Sequence, residues 1–132
     1  MFKHIILAAL LSFATPFAAF ADPVTDVITD QLDAFSKRDP QRAFSYASPM
    51  IQGLFGSPEN FAAMVERGYP LIWSNRSKAF TDRFEQGQRI RQTVIVTGVN
   101  GAREAFEYDM IRLNEEWKIN GVRPVPLSDV GV

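Results

Sequence analysis

Hydrophobic positions along the chain keep two periods, one of three to four residues up to about residue 68 and one of two residues between about 78 and 123. In the first region Asp22-Pro23 joins a side chain that caps helices to a proline at the first helical position, and Val24, Val27, Ile28, Leu32 and Phe35 recur after it at helical spacing. The spacing predicts a first helix with one apolar face and with Asp26, Asp30 and Asp33 on its other side. Asp39-Pro40 repeats the signal and predicts a short second helix with Ala43, Phe44 and Ala47 turned inward, ended by Ser48-Pro49. Met50 to Gly56 reads as a compact apolar stretch, and Ser57-Pro58-Glu59 caps a third helix with Phe61, Met64 and Val65 on one face. Gly68 is expected to close that helix as a left-handed cap.

Beyond the linker Tyr69 to Trp73 the alternation signals strands. The first is predicted over about Lys78–Glu85, with Phe80, Asp82 and Phe84 facing inward, and the second over Arg89–Thr97, with Ile90, Gln92, Val94 and Val96 inward. Asn100-Gly101 predicts a hairpin tip, because both central positions of a type I′ turn need positive φ. The third strand spans Ala102–Leu113 with Glu104, Phe106, Tyr108 and Met110 inward. Asn114-Glu115-Glu116 turns the chain into the fourth, Trp117–Arg123, with Trp117, Ile119 and Gly121 inward and a bulge at Asn120-Gly121. Pro124-Val125-Pro126 ends pairing, and the tail from about 124 is expected to be loose. Three helices ahead of four antiparallel strands make an α+β domain, its sheet curled around the helices into a cone.

The segment before Asp22 changes the picture of destination. Lys3 heads an apolar run from Ile5 to Leu11, Pro16 loosens the stretch after it, and Ala19-Phe20-Ala21 offers small residues at the cleavage positions. This pattern predicts a cleavable export signal over residues 1–21 and one domain over 22–132. The expected location is therefore outside the cytoplasm, periplasmic or secreted, with no membrane contact after cleavage. Removing Lys3 with the leader takes 14 basic residues to 13 against 15 acidic, a net charge of −2, which argues against nucleic acid as a partner. The chain has no cysteine and its one histidine, His4, lies in the leader, so disulfides, thiol chemistry and imidazole-based triads are excluded from the exported domain. There is no glycine-rich phosphate loop, and no cofactor or metal is expected.

Several phrases in this frame resemble one family. They are Gln31-Leu32-Asp33-Ala34-Phe35, the run from Ala43 to Gln52, Phe55 to Phe61, Gly68-Tyr69-Pro70 and Trp117 to Val122. Over residues 24–123 the chain is similar to an uncharacterised family of exported bacterial proteins, a domain of unknown function. The resemblance implies the cystatin-like cone of nuclear transport factor 2 and ketosteroid isomerase, and it implies no reaction, because that fold hosts enzymes, carriers and dimerisation modules alike.

Strand parity also nominates candidate chemistry. Asp82 between Phe80 and Phe84 would place a carboxylate against the helices, where desolvation raises its pKa toward general acid or base work, and Tyr108 shares the inward face, so these two are the catalytic candidates. Tyr46, Gln52, Tyr69, Trp73, Gln92, Glu104 and Trp117 are the candidates for lining a ligand pocket, with Met50, Phe55, Met64 and Phe106 as further apolar lining. Arg83, Arg89 and Arg91 are expected on the outer sheet face, as a solvated surface or a grip for an anionic partner. Asp26, Asp30 and Asp33 lie along one helix and lack the glycine turn of a calcium loop, so they read as a solvated acidic face. Three functions stay open: a module that binds a small apolar ligand or an exported protein partner, an acid/base enzyme using Asp82 and Tyr108, and a homodimer without a ligand.

Overall fold

The structure, a computed structural model, describes residues 21–130. The export signal expected over residues 1–21 therefore lies, but for Ala21, outside the described residues.

Among the described residues five helices precede the sheet: α1 (Pro23–Ser36), α2 (Pro40–Ser45), α3 (Pro49–Phe55), α4 (Pro58–Gly68) and α5 (Pro70–Trp73). Each begins on a proline, whose fixed φ and missing N–H suit the first helical turn. The side chains of Asp22, Asp39, Ser48 and Ser57 accept backbone N–H bonds from the next turn, while Tyr69 before α5 makes no such bond. The expectation of three helices is thus corrected to five. Ser48-Pro49 stops α2 but also starts α3, and the Tyr69–Trp73 linker is itself a helical turn. Gly68 does not take a left-handed cap either; that conformation falls to Gly56, at φ 78°, after α3.

The strands β1 (Asn75–Gln86), β2 (Arg89–Gly98), β3 (Arg103–Leu113) and β4 (Glu116–Val125) form an antiparallel sheet in sequence order. At the β3–β4 turn Asn114 and Glu115 both take positive φ, 50° and 66°, as a two-residue type I′ turn requires. At the β2–β3 connection only Gly101 does, and the tip expected at Asn100-Gly101 is a longer loop in which the Asn100 side chain accepts from the Ala102 amide at 3.0 Å. Gly98 sits closely where β2 meets α5: a Cβ there would stand 2.5 Å from a methyl of Leu71, which would have to turn aside.

Bulges interrupt both outer strands. In β1 the pairing runs from Phe80↔Val94 to Arg83↔Gln92, one residue extra on β1, so alternation reverses between them. In β4 it runs from Ile119↔Met110 to Gly121↔Asp109, with Asn120 extra, as the Asn-Gly pair predicts. Beyond that bulge Gly121 pairs with outward Asp109, so the inward position expected for it passes to Val122, opposite Tyr108. The free edge of β4 is covered by the α2–α3 connection: the Ser48 amide donates to Ile119 O (2.8 Å), the Ile119 amide to Tyr46 O (2.9 Å), and the Ser48 hydroxyl to Asn120 Oδ1 (2.7 Å).

The main core lies between the helices and the inner sheet face, where Ile28, Leu32 and Phe35 of α1 meet Val94 and Val96 of β2 and Phe106 and Met110 of β3. A second, smaller cluster occupies the outer face. β4 continues to Val125, a 3₁₀ turn covers Leu127–Asp129, and Val130 packs on Ile95 and Ala105. The tail to Val130 is therefore packed rather than loose, because it shields apolar residues that the sheet would otherwise expose.

Candidate functional site

An apolar cavity of about 230 Å³ opens between the helices and the β3–β4 half of the sheet. Phe35 of α1 and Phe61, Met64 and Val65 of α4 form one side, Ile72 and Tyr69 another, and Tyr108, Ile119 and Val122 the sheet floor. Ile51, Leu54 and Phe55 of α3 form the mouth. α3 has no buried residue, and Leu54, although it lines the cavity, is 72 % exposed; Met50 one turn earlier is 59 % exposed. The packing of Phe61 against Phe35, Phe44 and Phe55, at ring separations of 5.5–5.9 Å, fixes the aromatic wall.

Three polar side chains reach this apolar space. Gln31 is buried on α1 and ties Nε2 to Ala43 O at 3.1 Å. Tyr69 donates its hydroxyl to Val122 O at 3.0 Å. Tyr108 is fully buried and its hydroxyl has no hydrogen-bond partner. Burial, reinforced by the neighbouring Tyr69, pushes the Tyr108 phenol well above its ordinary value of 10.0, so at neutral pH it is a protonated donor without an acceptor. Most buried hydroxyls are satisfied, and this one is unpartnered on a residue that lines the cavity.

The structure does not bring Asp82 to Tyr108. The β1 bulge falls at Thr81-Asp82 and leaves Asp82 exposed, so the inward carboxylate expected from alternation is corrected. The same inversion carries Phe84 to the outer face and turns Arg83 inward, opposite Gln92. Arg83 donates to Gln92 Oε1 (2.7 Å) and to Asp22 Oδ2 (2.6 Å), and Gln92 Nε2 is spent on the carbonyls of Asp82 and Thr93. Arg83, expected on the outer face, is therefore a clamp between the start of α1 and the middle of the sheet.

Of the pocket candidates, Tyr69 lines the cavity, as do Phe55 and Met64. The others serve elsewhere. Gln52 staples α3 to α2 through the carbonyls of Phe44 and Ala47. Trp73 packs on Phe35 beneath the Arg38 guanidinium, 4.2 Å from its ring. Tyr46 and Trp117 are half-buried against the core, Gln92 belongs to the Arg83 clamp, and Glu104 is half-buried at the far end of β3. Phe106 is core and Met50 is exposed. Gln31 is a site residue that the sequence reading missed, yet its signal is in the chain: it stands at the inward helical positions three after Ile28 and four before Phe35, a polar residue in an apolar stripe. Among the described residues no group of acidic side chains converges as a metal site would, and Asp33 pairs instead with Lys37 and Arg42.

Comparison with known proteins places this geometry in a fold family. The chain is similar to an NTF2-like protein from Campylobacter jejuni assigned provisionally as a transpeptidase, with a TM-score of 0.59 at 10 % identity over 76 % of this chain and 99 % of that one. It is also similar to RPA3114, a SEC-C motif containing protein from Rhodopseudomonas palustris (TM-score 0.57, 13 % identity, 76 % and 77 % covered). A third likeness is to an NTF2-like protein of unknown function from Shewanella oneidensis MR-1 (TM-score 0.53, 12 % identity, 78 % and 96 % covered). At such identities the likeness is one of fold alone. No curated protein matches the sequence. The fold is thus the α+β cone of NTF2-like proteins, and the chain belongs to the family described as a domain of unknown function (DUF4864), whose model matches residues 18–131.

Proposed function

We propose that this protein is an exported binding module that holds a small, largely apolar molecule in the cavity beneath α3 and α4, with the Tyr108 hydroxyl as donor to one acceptor on the ligand. The observation that carries this reading is the unpartnered hydroxyl of Tyr108, a fully buried residue in the lining of an apolar cavity. Size supports it: a dry cavity of about 150 Å³ takes benzene, so 230 Å³ suits one or two fused rings or a short aliphatic chain. Asp82, turned to solvent, gives the alternative acid/base reading no support.

Native mass spectrometry of the protein purified from the exported fraction, compared with its denatured mass, tests the reading. The expected result is a non-covalent mass of that size, lost in Val65→Phe, which fills the cavity from α4. A bare protein that takes up no apolar probe at millimolar concentration would contradict it.

A further inference from the structure

The outer face of the sheet carries a groove of about 540 Å³, separate in its chemistry from the interior cavity. Register sets its layout. Phe84, Arg91, Asp109 and Gly121 stand opposite one another across all four strands, and the next outward pair, Glu107 and Arg123, flanks them. Gly121 contributes no side chain, so the row is deep at the β4 end and walled at the β1 end by Phe84. That ring is 54 % exposed and is held on the outer face by the β1 bulge.

The charges along the groove are not evenly matched. Arg89 is held by Asp109 (3.3 Å) and Arg123 by Glu107 (2.9 Å), whereas Arg91 has no carboxylate partner among the described residues. Its guanidinium lies over the Phe84 ring, 4.9 Å from the centroid, and the stacking orients the cation without neutralising it. Three guanidiniums against two carboxylates leave the groove with one positive charge in excess, next to a flat apolar surface. That pairing fits a carboxylate attached to a ring: the anion meets Arg91 through charge-assisted hydrogen bonds and the ring lies along Phe84.

We propose that this groove is a second binding site, for an aromatic carboxylate. The same chemistry is offered by a free aromatic acid and by a peptide ending in an aromatic residue. The test records backbone amide shifts of the isotope-labelled protein during titration with 1-naphthoate, with its uncharged analogue 1-naphthalenemethanol, and with acetyl-Gly-Gly-Phe bearing a free or an amidated C-terminus. The expected result is saturable shifts at Phe84, Arg91 and Asp109 with the carboxylates only, weakened about tenfold or more in Arg91→Gln and in Phe84→Ser, and unchanged in Arg76→Gln on the exposed start of β1. Tighter binding of naphthoate assigns the site to free acids, and tighter binding of the peptide to chain ends. Shifts confined to residues around Tyr108, equal binding of the uncharged analogue, or unchanged affinity in Arg91→Gln would overturn the proposal. Because Arg91 and Phe84 are not among the residues that line the cavity, failure here leaves the reading of the interior site standing.

Discussion

β2 and β3 pair without interruption from Arg89↔Ile111 to Thr97↔Arg103, whereas β1 holds two extra residues within its pairing, one near Arg76 and one at Thr81-Asp82, and β4 holds one. A central strand has neighbours on both sides, so an insertion there would break two ladders; an outer strand breaks one. The consequence is chemical. On β2 and β3 alternation alone decides that Val94, Phe106 and Tyr108 face the core, but on β1 the bulge at Thr81-Asp82 decides that Arg83 turns inward while Asp82 and Phe84 do not. On β4 the bulge at Asn120 turns Val122 onto the cavity floor.

The sharpest way to break this comparison is to truncate one aromatic on each kind of strand. Phe106→Ala, in the packed centre, is expected to destabilise the protein by about 3–5 kcal/mol, and Phe84→Ala, on the outer face, by no more than about 0.5 kcal/mol, both read from urea denaturation. Similar losses for the two would mean that the β1 bulge is misplaced. A smaller effect is expected at the clamp that the bulge creates. Arg83→Met keeps the aliphatic stem but leaves Gln92 Oε1 without its donor, costing about 1–3 kcal/mol, while Arg76→Met should leave thermal stability unchanged.

Tyr108→Phe sharpens the contrast between packing and binding on β3. Removing a hydroxyl that has no partner should raise the melting temperature of the unliganded protein, a gain of about 1 kcal/mol or less, and the same change should weaken ligand binding. A fall in melting temperature would show that the hydroxyl is satisfied within the protein.

The smallest effect is a matter of pH. Burial pulls the Asp22 carboxyl upward, but the Thr25 amide, Arg83 and the Val24 amide together outweigh it and hold the group below its ordinary 3.8. A carboxylate depressed in the folded state stabilises fully above its unfolded pKa and loses that contribution as pH falls through the folded one. Asp22→Asn keeps the helix cap and removes the charge, so the two proteins should differ most near neutrality, and their melting temperatures should converge as pH drops below about 4.

Much of the fold is legible in the chain because the signals are local. Asp22-Pro23, Asp39-Pro40 and Ser57-Pro58 each start a helix where cap and proline chemistry say they should, and strict alternation from Arg89 to Thr97 and from Arg103 to Leu113 orients the central strands. Ser48-Pro49 carries the same local signal with a second meaning, stopping one helix and starting the next. The cavity is less legible, since it depends on which residues meet across elements. Parity alone exposes Tyr108, but Phe35, Phe61 and Ile72 are ordinary core residues until α3 fails to seal the space above them. The β1 bulge is not legible at all, because no glycine or Asn-Gly pair marks Thr81-Asp82.

Whether the cavity binds an apolar molecule whose acceptor meets Tyr108 is decided by comparing the affinities of 2-tetralone and tetralin for the native protein and for Tyr108→Phe. The two probes share a bicyclic body and differ in one carbonyl acceptor. The expected result is that 2-tetralone binds the native protein and loses about tenfold in Tyr108→Phe, while tetralin binds both proteins equally. An absence of binding by either probe, or an equal loss for both, would contradict it.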